Sequence, residues 1–231
     1  ILMVRYKRTL HITVIICRQF TNHIIEERGT MEIRHSYLTP RFAEALQLAY
    51  SLHHAQMRKG TGTPYMAHLL SVCSLVMYHG GDEDLAIAAL LHDALEDASD
   101  KITQEQIGEE FGQKVKEIVQ LCSDTPPDFR GGQKEPWRVR KDRYLSHIKS
   151  GKDTPELLLV SVADKVDNAN AIVRDLKKVG DSVWKRFNAG KDGQLWYYRE
   201  LVSAFRAAGV KGPLIDSLEE LVRKMHELAG E

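Results

Sequence analysis

Apolar residues recur at helical spacing along most of the chain, and local signals mark where several helices begin. Thr39 and Pro40 are typical of an N-cap and a first helical position, and an amphipathic stretch follows through His54. Residues 160–162 are rich in β-branched side chains, but the apolar pattern continues past Ile172, which is too long for a typical strand. The pattern predicts further helices over residues 68–78, 82–97, 103–112, 113–122, 154–178, 192–208 and 213–229. We therefore predict an all-α fold.

One segment interrupts this pattern. Residues 125–136 contain three prolines and two adjacent glycines, which do not continue a helix. A loop this long in a compact domain is usually functional or disordered. The loop and the helix predicted after it are rich in basic residues between positions 130 and 149. Such a run most often covers a solvated face, and it is also suited to holding phosphate groups, so the sequence leaves both interpretations open.

A second unusual pattern lies in the helix predicted from residue 82. The apolar residues 85–91 lead directly into His92 and Asp93, and Glu96 and Asp97 follow one turn later. An uncompensated charge in a buried helix is costly, and a bound metal cation is one way to compensate it. These four residues therefore predict a metal site that needs more ligands from elsewhere in the chain.

Two residues elsewhere can supply those ligands. His68 lies upstream, and Asp164 follows the apolar residues 157–163. Any one of these residues could be a satisfied core or surface group, but the set His68, His92, Asp93 and Asp164 favours a metal. Two imidazoles and two carboxylates without a thiolate suit Mn²⁺, with Fe²⁺ or Zn²⁺ as alternatives. Only His147 lies between Asp93 and Asp164 as a further histidine.

These motifs resemble the HD-domain superfamily of metal-dependent phosphohydrolases. The sequence HDALED begins at His92, ADKVDN begins at Ala163, and RKGTGTPYMAH at residues 58–68 is similar to a family segment Arg-Lys-x-x-Gly-x-Pro-Tyr-x-x-His. Within the superfamily the chain most resembles the small alarmone hydrolases and the hydrolase half of RelA/SpoT proteins, over roughly residues 40–205. One departure is Leu69, where the family usually has proline. Two-metal members of the superfamily have additional histidines between the HD doublet and the last aspartate, so with His147 alone in that interval the resemblance implies a single metal ion.

The resemblance implies roles for further residues. It implies that Glu96 and Asp97 orient or deprotonate the attacking water. Helical spacing places His92 on the same face as Glu96, and Asp93 on the same face as Asp97. The substrate contacts that the resemblance implies are Arg58 and Lys59 against the guanine nucleotide, Asn168 on the ribose or base, and Arg140 and Lys141 on the pyrophosphate. Trp196, Tyr197 and Tyr198 are expected to be core residues, with a base-stacking wall as the alternative.

Composition narrows the setting. The chain has 231 residues and a formal net charge of zero, so no overall field draws it to a nucleic acid polymer or a membrane. The three cysteines are widely spaced and form no CxxC pair, which favours a reducing cytoplasm. Residues 1–30 are expected to be a non-native or disordered extension before Met31, with a genuine N-terminal strand or helix as the alternative. Residues 31–231 are expected to form a single HD hydrolase domain.

The leading hypothesis is an Mn²⁺-dependent hydrolase that removes the 3′-pyrophosphate of ppGpp or pppGpp, giving GDP or GTP. The expected fold is an HD-domain helical bundle with one long basic loop near the metal. A second hypothesis keeps the metal site but assigns another nucleotide, such as a dNMP or the 2′-phosphate of NADPH. A third is a nucleotide-sensing module without turnover. The sequence does not predict the oligomeric state.

Overall fold

The computed structural model describes residues 38–126, 129 and 132–231. The extension expected at residues 1–30 and the basic residue Arg130 lie outside these described residues, so both expectations remain predictions. Within the described residues, the secondary structure is helical and contains no strand, and Met57 and Pro64 form an isolated antiparallel bridge. The predicted all-α fold is confirmed. No described helix combines the length and the apolar character needed to cross a membrane.

The helices follow one another with short connections. Their bounds are α1 Pro40–His53, α2 Met66–Tyr78, α3 Glu83–Leu91, α4 Ala94–Asp97, α5 Gln104–Phe111, α6 Gln113–Cys122, α7 Trp137–Lys149, α8 Leu159–Val179, a 3₁₀ helix Gly180–Arg186, α9 Gly190–Ala207 and α10 Pro213–Ala229. The 3₁₀ helix was not predicted from the sequence. The predicted helices are present with bounds that differ by a few residues, except that the helix predicted over residues 82–97 is divided into α3 and α4.

Local side-chain contacts explain where several helices begin. The Thr39 side chain accepts a hydrogen bond from the backbone N–H of Arg41 at the start of α1. Asp82 caps α3 by accepting from the backbone N–H of Leu85 at 3.0 Å. Thr103 and Gln106 form the predicted capping box of α5. These caps satisfy N–H groups that have no partner inside their own helix.

Helix α3 is the centre of the core. All seven residues from Leu85 to Leu91 are buried, and α3 packs against α1, α2, α6 and α8. Helix α8 is the second central element, since it contacts α2, α3, α6 and α10. Because α2, α3 and α8 meet in this core, polar side chains that they direct inward are brought close together.

The sequence prediction was wrong about the continuity of the helix after Leu91. Helix α3 ends at Leu91, His92 and Asp93 form a turn, and α4 spans only Ala94–Asp97. The His92 ring nitrogen Nδ1 lies 2.8 Å from the carbonyl oxygen of Ala89, so the side chain occupies an acceptor of the last turn of α3. The shared faces expected for His92 with Glu96 and for Asp93 with Asp97 therefore do not follow from one regular helix.

A smaller difference concerns the start of α8. The sequence places the helix start at Thr154 and Pro155, whereas residues 155–158 form a turn and α8 begins at Leu159. The Thr154 side chain accepts from the backbone N–H of Leu157 at 3.4 Å, so it caps this turn. The predicted end is close to the observed end at Val179.

Candidate metal centre and nucleotide cavity

The core brings three of the four predicted metal ligands together. His68 comes from α2, His92 follows α3, and Asp164 comes from α8. One ligand atom from each lies within 4.8 Å of the others, and all three residues are buried. The Oδ1 atom of Asp164 is 3.3 Å from Nε2 of His68 and 3.7 Å from Nε2 of His92. This spacing leaves room for one cation between the side chains.

Asp93 lies beside this group because the chain turns after α3. Its Oδ2 atom is 3.0 Å from Nε2 of His92 and 3.6 Å from Nε2 of His68. The turn at residues 92–93 thus directs both neighbouring side chains towards the same point, which a continuous helix would not do. All four residues predicted as ligands lie together in the structure.

The hydrogen bonds of the two histidines fix which ring nitrogen faces the centre. Nδ1–H of His92 donates to the Ala89 carbonyl at 2.8 Å, while Nε2 of His92 is buried and has no hydrogen-bond partner among the described residues. Nδ1–H of His68 donates to Oδ2 of Asp167 at 2.7 Å. Each ring therefore turns its Nε2 atom to the centre, as a metal ligand does when its other nitrogen is held by an acceptor.

Asp167 was not among the residues predicted for the site. Its Oδ1 accepts from the Ser71 hydroxyl at 2.5 Å, so the carboxylate is held from both sides. The signal in the sequence is its place one turn after Asp164, on the helix that faces His68. Because an imidazole ligand usually needs an acceptor for its second nitrogen, a carboxylate at this position could have been anticipated.

The two carboxylates of the centre also have fixed donors. Tyr65 donates its hydroxyl to Oδ2 of Asp93 at 2.5 Å. Lys165 donates to Oδ2 of Asp164 at 2.5 Å, and the Asn168 amide donates to Oδ1. These contacts hold the carboxylate oxygens in place before any cation binds.

The electrostatics of the centre favour a cation. Burial opposes protonation of His92, but Asp93 and Asp164 outweigh it and raise the pKa of His92 well above its usual value. The pKa of His68 is raised to about 9, against the effect of burial, by its bonds to Asp164, Asp167 and Asp93. Burial would raise the pKa of Asp164, yet Lys165 and both imidazoles hold it well below its usual range. Two imidazole nitrogens and two carboxylates directed at one point fit a divalent metal ion.

Glu96 and Asp97 point to different neighbours. Glu96 Oε1 accepts from Lys134 Nζ at 3.0 Å and lies 3.8 Å from Arg140 Nη1, so it faces the basic loop. Asp97 is exposed, and its Oδ2 accepts from the Gln56 amide at 2.8 Å. The pKa of Glu96 is raised by burial and by Asp124, and that of Asp97 is raised by the partial loss of water around its carboxylate and by the Asp93 charge.

A cavity of about 850 Å³ adjoins the centre. Tyr65, Lys165 and Asn168 line it, and each of them also bonds to a carboxylate of the centre. The cationic side chains among its lining residues are Arg58, Lys59, Lys141, Lys165, Arg174, Lys178 and Arg186. Asp175 is the acidic residue among those that line it. This volume lies within the range of ligand pockets, and the charge favours an anionic ligand.

The predicted nucleotide contacts Arg58, Lys59 and Asn168 all line this cavity. Arg58 Nη2 donates to Asn168 Oδ1 at 2.9 Å, and Lys59 Nζ donates to Asn188 Oδ1 at 3.4 Å. The loop that carries Arg58 and Lys59 passes close to Arg186. A Cβ atom on Gly60, whose φ is +72°, would lie 2.5 Å from the Arg186 side chain. Glycine at this position therefore permits the close approach.

The predicted basic pair Arg140 and Lys141 is divided by the fold. Both side chains form ion pairs with Asp124, which is buried. Among the described residues, Lys141 lines the cavity whereas Arg140 does not, and Arg140 instead approaches Glu96. Lys141 Nζ also lies 4.9 Å from the centre of the Tyr197 ring. Asp124 was not predicted as a partner of these cations, because it precedes the loop and lies 16 and 17 positions from them along the chain.

The residues of the aromatic cluster differ in their surroundings. Tyr197 and Tyr198 are buried in the core and also line the cavity. Trp196 is half-buried, and Cζ of Arg138 lies 3.6 Å from the centre of its ring. Trp196 is not one of the described residues that line the cavity. Trp137, which was not predicted as a site residue, does line it.

The model of the HD domain family matches residues 45–195, and the chain belongs to this family. The match contains all four metal-centre residues. A MESH1 guanosine-3′,5′-bis(diphosphate) 3′-pyrophosphohydrolase from Xenopus tropicalis is 35% identical over 61% of this chain and 72% of its own length.

Two further relatives give the same picture. A guanosine-3′,5′-bis(diphosphate) 3′-pyrophosphohydrolase from Aquifex aeolicus is 31% identical over 58% of this chain, but the match spans only 18% of that longer protein. A solved structure of a metazoan SpoT ortholog that hydrolyses ppGpp superposes with a TM-score of 0.63 and 27% identity, covering 81% of this chain and 96% of that one. The similarity therefore extends from sequence to fold.

Proposed function

We propose that this protein is a metal-dependent hydrolase that removes the 3′-pyrophosphate of ppGpp and pppGpp, leaving GDP and GTP. The observation that carries the proposal is a buried centre of two imidazoles and two carboxylates that opens, through Lys165 and Asn168, into a cationic cavity. A nucleotide with a polyphosphate group is the ligand that such a cavity suits. The relatives that hydrolyse guanosine 3′,5′-bis(diphosphate) support the same substrate.

HD domains bind a divalent metal, and we propose Mn²⁺ in this chain, held by His68, His92, Asp93 and Asp164. A mixed nitrogen and oxygen ligand set is consistent with Mn²⁺, and Fe²⁺ or Zn²⁺ are alternatives. When bound, the ion lowers the pKa of a water molecule and polarises the phosphoryl group. Nε2 of His92 would bind the ion once it loses its proton, and both carboxylates already lie beside it.

Glu96 is the residue proposed to orient the water and take its proton. Its raised pKa moves it towards the range in which a carboxylate accepts a proton near neutral pH. Lys134 and Arg140 hold its position from the side of the basic loop. Asp97 is the proposed supporting carboxylate, held by Gln56. Attack on the phosphorus next to the ribose breaks its bond to the 3′ oxygen, which leaves as the ribose hydroxyl after gaining a proton, and pyrophosphate is released.

The remaining contacts follow from the cavity. Arg58 and Lys59 are proposed to lie against the guanine nucleotide, and Asn168 to bond the ribose or base. Lys141 is proposed to contact the pyrophosphate, with Arg140 acting on the side of Glu96. A cytoplasmic location is proposed, since Cys73 and Cys122 are buried free thiols. The proposed partner is a nucleotide and not a nucleic acid polymer.

The test is hydrolysis of ppGpp by metal-stripped protein with and without added Mn²⁺, with the products separated by anion exchange. We expect Mn²⁺-dependent release of GDP and intact pyrophosphate. dNMPs and NADPH are assayed in parallel, and release of orthophosphate from one of these, without turnover of ppGpp, would overturn the substrate assignment. His92→Ala should abolish activity, whereas His54→Ala, at an exposed position on the same domain, is the matched control.

A further inference from the structure

The cations nearest the metal centre are already paired with groups of the protein. Lys165 bonds Asp164 at 2.5 Å, and Lys141 bonds Asp124 at 2.7 Å. Arg58 bonds the Asn168 amide at 2.9 Å. Its Nη1 atom also lies 3.8 Å from the Asp167 carboxylate. Each of these three inner cations therefore has a partner within the protein.

The outer end of the same cavity is different. Arg174 and Lys178 lie one turn apart on α8, both line the cavity, and both are exposed. Neither side chain forms an ion pair or a hydrogen bond with any other residue in the part of the chain that the structure describes. The nearby Asp175 is engaged by Arg186. Two positive charges are thus directed at the cavity without a carboxylate to balance them.

Helix geometry sets their distance from the metal centre. At a rise of 1.5 Å per residue, Arg174 lies roughly 15 Å along α8 from Asp164, and Lys178 roughly 21 Å. Long Arg and Lys side chains can shorten this separation by extending along the cavity wall. A ligand with two anionic groups separated by an uncharged middle would match the metal centre at one end and these two cations at the other.

We propose that Arg174 and Lys178 form a second phosphate subsite for the 5′-diphosphate or 5′-triphosphate of the nucleotide whose 3′-pyrophosphate lies at the metal centre. This inference rests on the proposed function and adds a selection rule to it. The enzyme favours nucleotides phosphorylated at both ends of the ribose over those phosphorylated only at the 3′ end. Arg174 offers a planar fork for two phosphate oxygens, and Lys178 adds a point charge.

A simpler explanation exists for one of these residues, and the chain supplies a control for it. Basic residues in the last turn of a helix interact favourably with its dipole, and both Lys177 and Lys178 lie in the last turn of α8. Lys177 is exposed but does not line the cavity among the described residues. Lys177→Met therefore removes the same charge from the same turn without touching the proposed subsite.

The first experiment compares kcat and KM for pppGpp, ppGpp and a guanosine 3′-diphosphate with a free 5′ hydroxyl. In the double variant Arg174→Met/Lys178→Met we expect kcat/KM for ppGpp to fall by about a hundredfold, through KM, at about tenfold for each lost contact to a charged group. For the substrate with the 5′ hydroxyl, kcat/KM of the double variant should change by less than about twofold. In Lys177→Met, kcat/KM should change by less than about twofold for all three substrates. Arg174→Lys should recover part of the loss. An equal loss for all three substrates, or no loss, would overturn the subsite.

The second experiment is independent of turnover. Titration calorimetry of the metal-free protein with GDP, and separately with guanosine, measures the contribution of the 5′ phosphates. We expect the dissociation constant for GDP to be at least about tenfold higher in the double variant, and the dissociation constant for guanosine to be unchanged. If the native protein fails to hydrolyse ppGpp but shows this GDP difference, the proposed function fails and the subsite stands. If ppGpp is hydrolysed and GDP binds both proteins equally, the subsite is refuted and the function stands.

Discussion

Asp167 should control the metal affinity without touching the metal. It accepts Nδ1–H of His68 at 2.7 Å and is itself held by Ser71 at 2.5 Å. The carboxylate therefore fixes the ring so that Nε2 faces Asp164. Partners of this kind typically contribute 10- to 100-fold to metal affinity. This factor corresponds to about 1.4–2.7 kcal/mol of binding free energy.

Two substitutions separate geometry from charge. Asp167→Asn keeps an oxygen acceptor for His68 but removes the negative charge, and we expect the Mn²⁺ dissociation constant to rise by about tenfold. Asp167→Ala also leaves Nδ1–H of the buried His68 without an acceptor, and we expect about a hundredfold rise. The assay is competition for Mn²⁺ with a fluorescent chelator at fixed pH. Asp142→Asn, which removes an exposed carboxylate paired with Arg138, is the control.

The order of the two variants is the decisive result. If Asp167→Ala bound Mn²⁺ within about twofold of the unsubstituted protein, the reasoning that Asp167 orients His68 would be wrong. If Asp167→Asn bound Mn²⁺ as weakly as Asp167→Ala, with an unchanged circular dichroism spectrum, the loss of affinity would come from the lost charge alone. The orientation of His68 would then not contribute. Thermal unfolding of both variants without metal checks that the fold itself is retained.

Three further changes test other parts of the centre. Glu96→Gln keeps the shape of the side chain but cannot accept a proton. We therefore expect kcat to fall by about a hundredfold or more while the affinity for Mn²⁺ is retained. An unchanged kcat would remove Glu96 from the mechanism. Lys165→Met leaves the buried Asp164 carboxylate without its ammonium partner. Urea denaturation should therefore show that the free energy of unfolding falls by about 3 kcal/mol, and a fall below about 1 kcal/mol would contradict this pairing. The pKa of His68 is raised from 6.5 to about 9, so the stability due to its proton is complete below pH 6.5 and is lost as the pH rises through 9. The melting temperature of chelator-treated protein should therefore fall across that interval, and a rise there would refute the assignment.

The sequence predicted the elements of the fold well because its signals are local. The apolar period, the N-cap at Thr39 and the capping box at Thr103 depend on residues a few positions apart. The break after Leu91 was missed because the apolar period alone does not show that the His92 side chain will occupy the Ala89 carbonyl. The 3₁₀ helix Gly180–Arg186 was missed for a related reason, since its short turns carry no sustained period.

The candidate site was predictable to the extent that its residues belong to compact motifs. The four metal-centre residues could be chosen because each lies beside an apolar run or within a recognisable segment. The partners of those residues could not be chosen in the same way. Asp124 lies 16 and 17 positions from Arg140 and Lys141, and only the packing of α6 against the core brings the three together. From the sequence, where the contact with Asp124 cannot be seen, Arg140 and Lys141 are equally available to bind a phosphate group.

The distribution of charge explains how one cavity can serve both folding and binding. A buried cation without a partner would destabilise the fold, and the inner cations avoid this through their pairs with Asp164 and Asp124. Arg174 and Lys178 can remain unpaired because they are exposed, where water compensates their charge. A phosphate group that reaches them replaces water and loses no protein ion pair, whereas a phosphate group at the inner end must compete with carboxylates. Discrimination between nucleotides is therefore expected to depend more on the outer end, and hydrolysis on the inner end.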